Sequence, residues 1–124
     1  MIHLDTSSLI DALTGPKRSA PRMRELMAGP EPLAISSIVL FEWLRGPRLK
    51  EEIEAQEIMF PKADVVPFAT VEAEFAAEIY RAVQRPRGRE ADIAIAACAL
   101  AHGANLWVLN KGDFKDIPGL QLLT

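Results

Sequence analysis

Apolar runs of three to five residues alternate with stretches of helical periodicity along these 124 residues. Ile2 to Leu4 is the first strand candidate. Asp5, Thr6, Ser7 and Ser8 follow as good N-caps for a helix through Leu9, Ile10 and Leu13, which Gly15-Pro16 stops. Pro21 suits the first turn of a helix containing Met23, Leu26 and Met27. The turn Gly29-Pro30-Glu31-Pro32 then leads into a strand at Leu33 to Ile35.

Ser36 and Ser37 cap a helix that reaches Arg45 and ends at Gly46-Pro47. Arg48 to Met59 reads as a further helix with a strongly charged outer face, its Ile53, Ile58 and Met59 assigned to core packing. Val65 and Val66 mark a third strand. Thr70 caps a helix to about Gln84, whose apolar stripe is Val71, Phe75, Ile79 and Val83, leaving Glu72, Glu74 and Glu78 in solvent. Pro86 to Arg89 is a basic turn, and Glu90 to His102 is a helix closed by Gly103. Leu106 to Leu109 is a fourth strand and Leu120 to Leu123 a fifth. Strands alternating with helices predict an α/β fold with a mainly parallel central sheet of four to five strands. Ligands of such sheets lie beyond the strand C-terminal ends. No repeat, low-complexity tract or long linker divides the chain, so residues 1–124 are read as a single domain.

Composition narrows the function classes. With 49% hydrophobic and 25% charged residues the chain suits one compact core. A net charge of -3 does not match a dedicated duplex binder, which carries a basic surplus to replace phosphate counterions. The single cysteine, Cys98, has no internal disulfide partner and fits a small buried side chain in an Ala-rich helix. The opening residues lack a secretory pattern, and no apolar run approaches the roughly 18 residues needed to span a bilayer. A cytoplasmic protein with no membrane contact is expected.

Against that background, Asp5, Glu42, Asp92 and Asp113 each stand where an apolar run ends or is interrupted. A lone carboxylate near a core costs several kcal/mol, roughly, or takes up a proton, and a shared divalent cation removes that cost. Each acid also has an ordinary reading. Asp5 suits a helix cap, Glu42 an ion pair with Arg45, Asp92 the favourable end of a helix dipole, and Asp113 the cap of a turn. An exposed i,i+3 pair contributes only about 0.2–0.5 kcal/mol, which does not account for a carboxylate flanked by Phe41 and Trp43. Four acids at four element ends that one α/β fold can bring together are the stronger pattern. His3, in a strand, and His102, at a helix end, read as structural, and Trp43 reads as core.

These residues resemble a known family. Ile2-His3-Leu4-Asp5-Thr6-Ser7, Glu42-Trp43-Leu44-Arg45-Gly46, Gly88-Arg89 before Asp92-Ile93-Ala94-Ile95-Ala96-Ala97, and Asn110-Lys111-Gly112-Asp113-Phe114 follow the order seen in PIN domains of the VapC type. Those are toxin ribonucleases of type II toxin-antitoxin pairs. The resemblance implies a PIN-like three-layer sandwich, with Asp5, Glu42, Asp92 and Asp113 as the catalytic, metal-binding acids around Mg²⁺ or Mn²⁺. Asp5 and Asp92 are the foremost direct ligands. It further implies an RNA substrate, a VapB-type antitoxin that wraps the toxin and blocks its site, and a homodimer. The family often has a hydroxyl two positions before the residue matching Asn110. Val108 stands there, so Thr6 or Ser7 is the candidate for any supporting hydrogen bond.

The reaction so implied is metal-assisted hydrolysis of RNA phosphodiesters with water as nucleophile, which needs no catalytic histidine. Arg45, Arg87, Arg89 and Lys111 are candidates for phosphate contact, and Arg45 and Arg89 equally for restraining the acids. A non-catalytic PIN-like module that binds protein or RNA is the alternative. A receiver or haloacid-dehalogenase-like phosphatase fits poorly. The phosphatase wants a second aspartate where Ser7 stands, and a receiver's paired acids are missing.

Overall fold

The computed structural model describes residues 1–124. β1 (Ile2–Leu4), β2 (Leu33–Ala34), β3 (Asn105–Trp107) and β4 (Leu122–Leu123) form one sheet in the order β2-β1-β3-β4, every pair parallel. Six helices accompany them: α1 (Thr6–Leu13), α2 (Ala20–Ala28), α3 (Ser37–Arg45), α4 (Lys50–Met59), α5 (Thr70–Ala82) and α6 (Glu90–Ala101). Parallel neighbours cannot be joined by tight hairpins, so long crossovers separate the paired strands. Side chains of β1 alternate between faces and yet all are buried, so both sides of the sheet are covered and the architecture is a three-layer α/β sandwich.

Pairing Leu4 with Trp107 brings the C-terminal ends of β1 and β3 side by side at the centre of the sheet. Asp5 and the loop after β3 leave from that edge. Helix α6 is buried from Ile93 to Ala99, and its alanines allow close approach to the layers around it. Gly103, with φ of 62°, takes the left-handed conformation that ends this helix and turns the chain into β3. No helix is long and apolar enough to cross a membrane.

Three expectations need correction. Val65 and Val66 do not form a strand. Lys62–Asp64 is a 3₁₀ turn, and Pro67 has no amide to extend a ladder, so only the parallel bridge between Ser36 and Val66 forms. The four-residue stripe of α5 does not all face the core either. Ile79 and Val83 are buried, but Val71 and Phe75 are exposed, because each four-residue step overshoots a 3.6-residue turn by about 40°. The inward face instead holds Glu72, Ala76, Ile79 and Val83, so Glu72 is buried at 6% exposure. In α4, Ile53 and Met59 pack on the core, whereas Ile58 is 80% exposed.

Candidate active site

Asp5 is the residue between β1 and α1. Its extended backbone ends the strand, and its Oδ1 accepts the Ser8 amide at 2.8 Å as the helix N-cap. Such a cap contributes about 1 kcal/mol. The Ser8 hydroxyl in turn donates to the carbonyl of Trp107 at 3.1 Å, tying α1 to the end of β3. Ser8 is fully buried, and the sequence offers it only as one of four possible N-caps and not as a residue that supports the site. Its signal was available, as the third residue after an aspartate that ends a strand.

Glu42 projects from α3, whose N-cap is Ser36. Its Oε1 accepts the Thr6 hydroxyl at 2.5 Å, and its Oε2 accepts Arg45 Nη2 at 3.1 Å. The ion pair with Arg45 is therefore real, but it does not take Glu42 to the surface: the carboxylate side chain is 15% exposed against 59% for Arg45. Thr6 provides the hydroxyl that Val108 cannot, since Val108 is fully buried among the apolar residues. Gly46 follows α3 closely. A Cβ there would stand 2.8 Å from the Arg48 guanidinium, which lies over the buried Trp43 ring at 4.4 Å.

Asp92 lies in the first turn of α6, where the helix dipole favours its charge by about 0.3–1 kcal/mol. Burial and neighbouring acids win over that gain. Its pKa is pushed up to about 6, first by burial and then by the charges of Asp113, Glu42 and Asp5, with Arg89 pulling the other way. Asp5 is likewise raised, first by burial, with Asp113 and Glu42 adding and the Ser8 hydrogen bonds opposing. The four acids thus feel one another's charge, although they come from four separate segments.

Asp5, Thr6, Ser7, Glu42, Arg45, Gly46 and Asp92 line one polar cavity of about 460 Å³, closed on its apolar side by Ile10. Asp113 is exposed on the 3₁₀ turn Lys111–Asp113 and does not line it. Asn110 is spent on its own loop, accepting the Gly112 amide at 3.0 Å. Arg89 reaches Asp116 and the Asp113 carbonyl, while Arg87 and Lys111 are exposed. No histidine lines the cavity. His3 is buried with both ring nitrogens unpartnered, and burial followed by His102 lowers its pKa to about 4; His102 meets Glu72 at 3.0 Å. Cys98 is buried, which pushes its thiol up to about 11.

No three His, Cys, Asp or Glu side chains stand close enough to cage an ion outright. The donors nonetheless suit a hard cation. Mg²⁺ keeps several of its waters and binds protein through one or two carboxylates, so an open all-oxygen cradle serves it better than a closed cage. The mutual repulsion of these carboxylates is what a divalent ion would relieve. Beside the acids, sharing Glu42 and Arg45, opens an apolar groove of about 630 Å³ between α3, α5 and α6, with Phe41 and Tyr80 at its surface.

Comparison with known proteins gives the family. Residues 2–120 match the PIN domain family. Ribonuclease VapC19 of Mycobacterium tuberculosis is 32% identical over 123 residues, covering 95% of each chain. Among solved structures, a chain of VapBC2 from Rickettsia felis, bound to a DNA fragment from its promoter, is 28% identical with a TM-score of 0.81. That match covers 99% of this chain and 98% of the other. A chain of a toxin-antitoxin complex from Klebsiella pneumoniae is 26% identical with a TM-score of 0.72, over 100% and 97%. With the fold, the order of the motifs and near-complete coverage all in agreement, this chain belongs to the PIN domain family, among the VapC ribonucleases.

Proposed function

We propose that this protein is a divalent-metal-dependent endoribonuclease and the toxin of a type II toxin-antitoxin pair, acting in the cytoplasm. The observation that carries the reading is the convergence of Asp5, Glu42 and Asp92 on one polar cavity at the C-terminal edge of the sheet, within the electrostatic reach of Asp113. The kinship with Ribonuclease VapC19 supports RNA as the substrate.

In this reading Asp5 and Asp92 hold the ion, with Glu42 and Asp113 completing the acidic surround. A bound Mg²⁺ or Mn²⁺ would supply neutralisation of phosphate charge and a lowered pKa for water. The protein does the rest by placement. Ser8 restrains Asp5 through its amide hydrogen bond to Oδ1. Thr6 and Arg45 restrain both oxygens of Glu42, so its carboxylate is oriented before any ligand arrives. Arg45, exposed at the cavity mouth, is placed to meet an RNA phosphate, with Lys111 and Arg87 as further exposed cations nearby in sequence to the acids.

The apolar groove beside the acids supports a VapB-type antitoxin as partner, because a chain seated there would lie against Glu42 and Arg45 and close the cavity. A homodimer belongs to the same reading and is checked by sedimentation velocity.

The test is cleavage of a pool of structured RNAs by antitoxin-free protein, with and without Mg²⁺ or Mn²⁺, beside Asp5→Asn and Asp92→Asn of verified folding. Metal-dependent cutting lost in both variants is expected. Metal binding without cutting of any RNA would instead identify a non-catalytic PIN-like binding module.

A further inference from the structure

Asp113 differs from the other three acids in its support. It sits on a three-residue 3₁₀ turn, exposed, in the loop between β3 and β4. Phe114 and Ile117, at 2% and 4% exposure, pin the apolar side of that loop. Asp113 itself lies on the solvent side of that anchor, where its charge and that of Asp92 oppose close approach.

Arg89 bridges the gap. It is the residue before α6, its carbonyl accepting the Ile93 amide at 2.8 Å. Its Nη1 donates to Asp116 Oδ2 at 2.9 Å and its Nη2 to Asp116 Oδ1 at 2.6 Å, a two-pronged guanidinium–carboxylate pair. The same Nη2 donates to the Asp113 carbonyl at 3.1 Å. Arg89 stands three residues before Asp92 and Asp116 three residues after Asp113, so the bridge spans the two acids from outside the cavity. Three of the five guanidinium N–H groups are thus engaged, both of those on Nη2 among them, and a phosphate could take the forked edge of the guanidinium only by displacing Asp116.

We infer that Arg89 and Asp116 form a clamp that holds the Asp113 turn against the start of α6, making both of them positioning residues and removing Arg89 from the set of phosphate contacts. The consequence for activity rests on the ribonuclease reading above; the clamp itself does not.

Arg89→Gln, Asp116→Asn and their double variant test it, with Asp113→Asn as the control for the ribonuclease reading. Amide hydrogen exchange is followed at residues 110–116 in metal-free protein, with α6 and β3 as the internal check of folding. Each single variant is expected to speed exchange at Lys111 to Phe114 and to lower kcat about tenfold with Mn²⁺, the double variant adding little because the two residues act as one unit. KM for RNA stays within about twofold, since no substrate contact is lost. Asp113→Asn should lose cutting with its loop exchange unchanged.

Wild-type exchange and kcat in Asp116→Asn would overturn the clamp. So would a raised KM in Arg89→Gln alone, which would make Arg89 a phosphate contact. If the wild-type protein cuts no RNA, the ribonuclease reading fails and the exchange rates alone decide the clamp.

Discussion

Helix α6 carries a polar cluster at each end, and the two are built on opposite terms. At its start, burial and the like charges of Asp113, Glu42 and Asp5 outweigh the pull of Arg89, and the pKa of Asp92 rises to about 6. At its end, His102 Nε2 meets Glu72 Oε2 at 3.0 Å. The other Glu72 oxygen accepts the Ala69 amide at 3.0 Å, capping α5. That carboxyl is held below its usual range, first by backbone hydrogen bonds at Glu72 and Ala69 and then by His102. One end therefore opposes folding of the metal-free chain and the other supports it. Repulsion retained at one edge, while a buried acid is satisfied at another, fits the proposed use of the first edge to hold a cation.

The sharpest way to break this contrast is to remove charge from the repelling end. Asp92→Asn should abolish RNA cleavage, by roughly 10³-fold or more if several kcal/mol of transition-state stabilisation are lost. The same change should stabilise the metal-free protein by about 1 kcal/mol once solvent screening at this partly exposed group is discounted. Thermal unfolding without metal, measured beside the cleavage rate, reads both. A variant that loses activity and also melts earlier would mean that Asp92 supports the fold. Asp5→Asn keeps an N-cap and should behave similarly, whereas Asp5→Ala loses the Ser8 hydrogen bond and about 1 kcal/mol with it.

A smaller effect tests how the repelling end is organised. Thr6→Val removes the hydroxyl that orients Glu42 but leaves the carboxylate and its pair with Arg45. Cleavage should fall about tenfold, as for loss of one orienting hydrogen bond, and Thr6→Ser should restore most of it. A Thr6→Val enzyme with the wild-type rate would show that Arg45 alone suffices to hold Glu42.

The repelling end was the legible one in the sequence. Each acid interrupts an apolar run. Asp5 ends β1 and the Asp113 loop follows β3, its parallel neighbour, so strand pairing brings those two to one edge, while the packing of α3 and α6 brings Glu42 and Asp92 there. The supporting end was not legible, because Glu72 looks like one of several acids on a helix surface until the 3.6-residue turn shows which face is inward. Partners distant in sequence were hidden for the same reason. Ser8 reaches Trp107 and Arg89 reaches Asp116 across 99 and 27 positions, and no local pattern encodes such pairs. Val65 and Val66 show the converse, a strong β-forming pair ended by its neighbouring proline before a second bridge can form.

The two ends should also titrate in opposite senses in metal-free protein. Asp92 has a folded pKa above its unfolded one, so between about 4 and about 6 the unfolded chain loses that proton first and stability declines as pH rises. Glu72 has a folded pKa below its ordinary value of 4.5, so its contribution is present above that pH and is lost as pH falls. Melting temperature against pH should therefore lose its decline from about 4 to about 6 in Asp92→Asn, and its acid-side fall should shrink in Glu72→Gln. The second change is the smaller, because the size of each limb follows the shift of its group and Asp92 is moved further from its ordinary value than Glu72. If Glu72→Gln altered the limb from about 4 to about 6 instead, the two ends of α6 would be coupled through the helix and the contrast between them would fail.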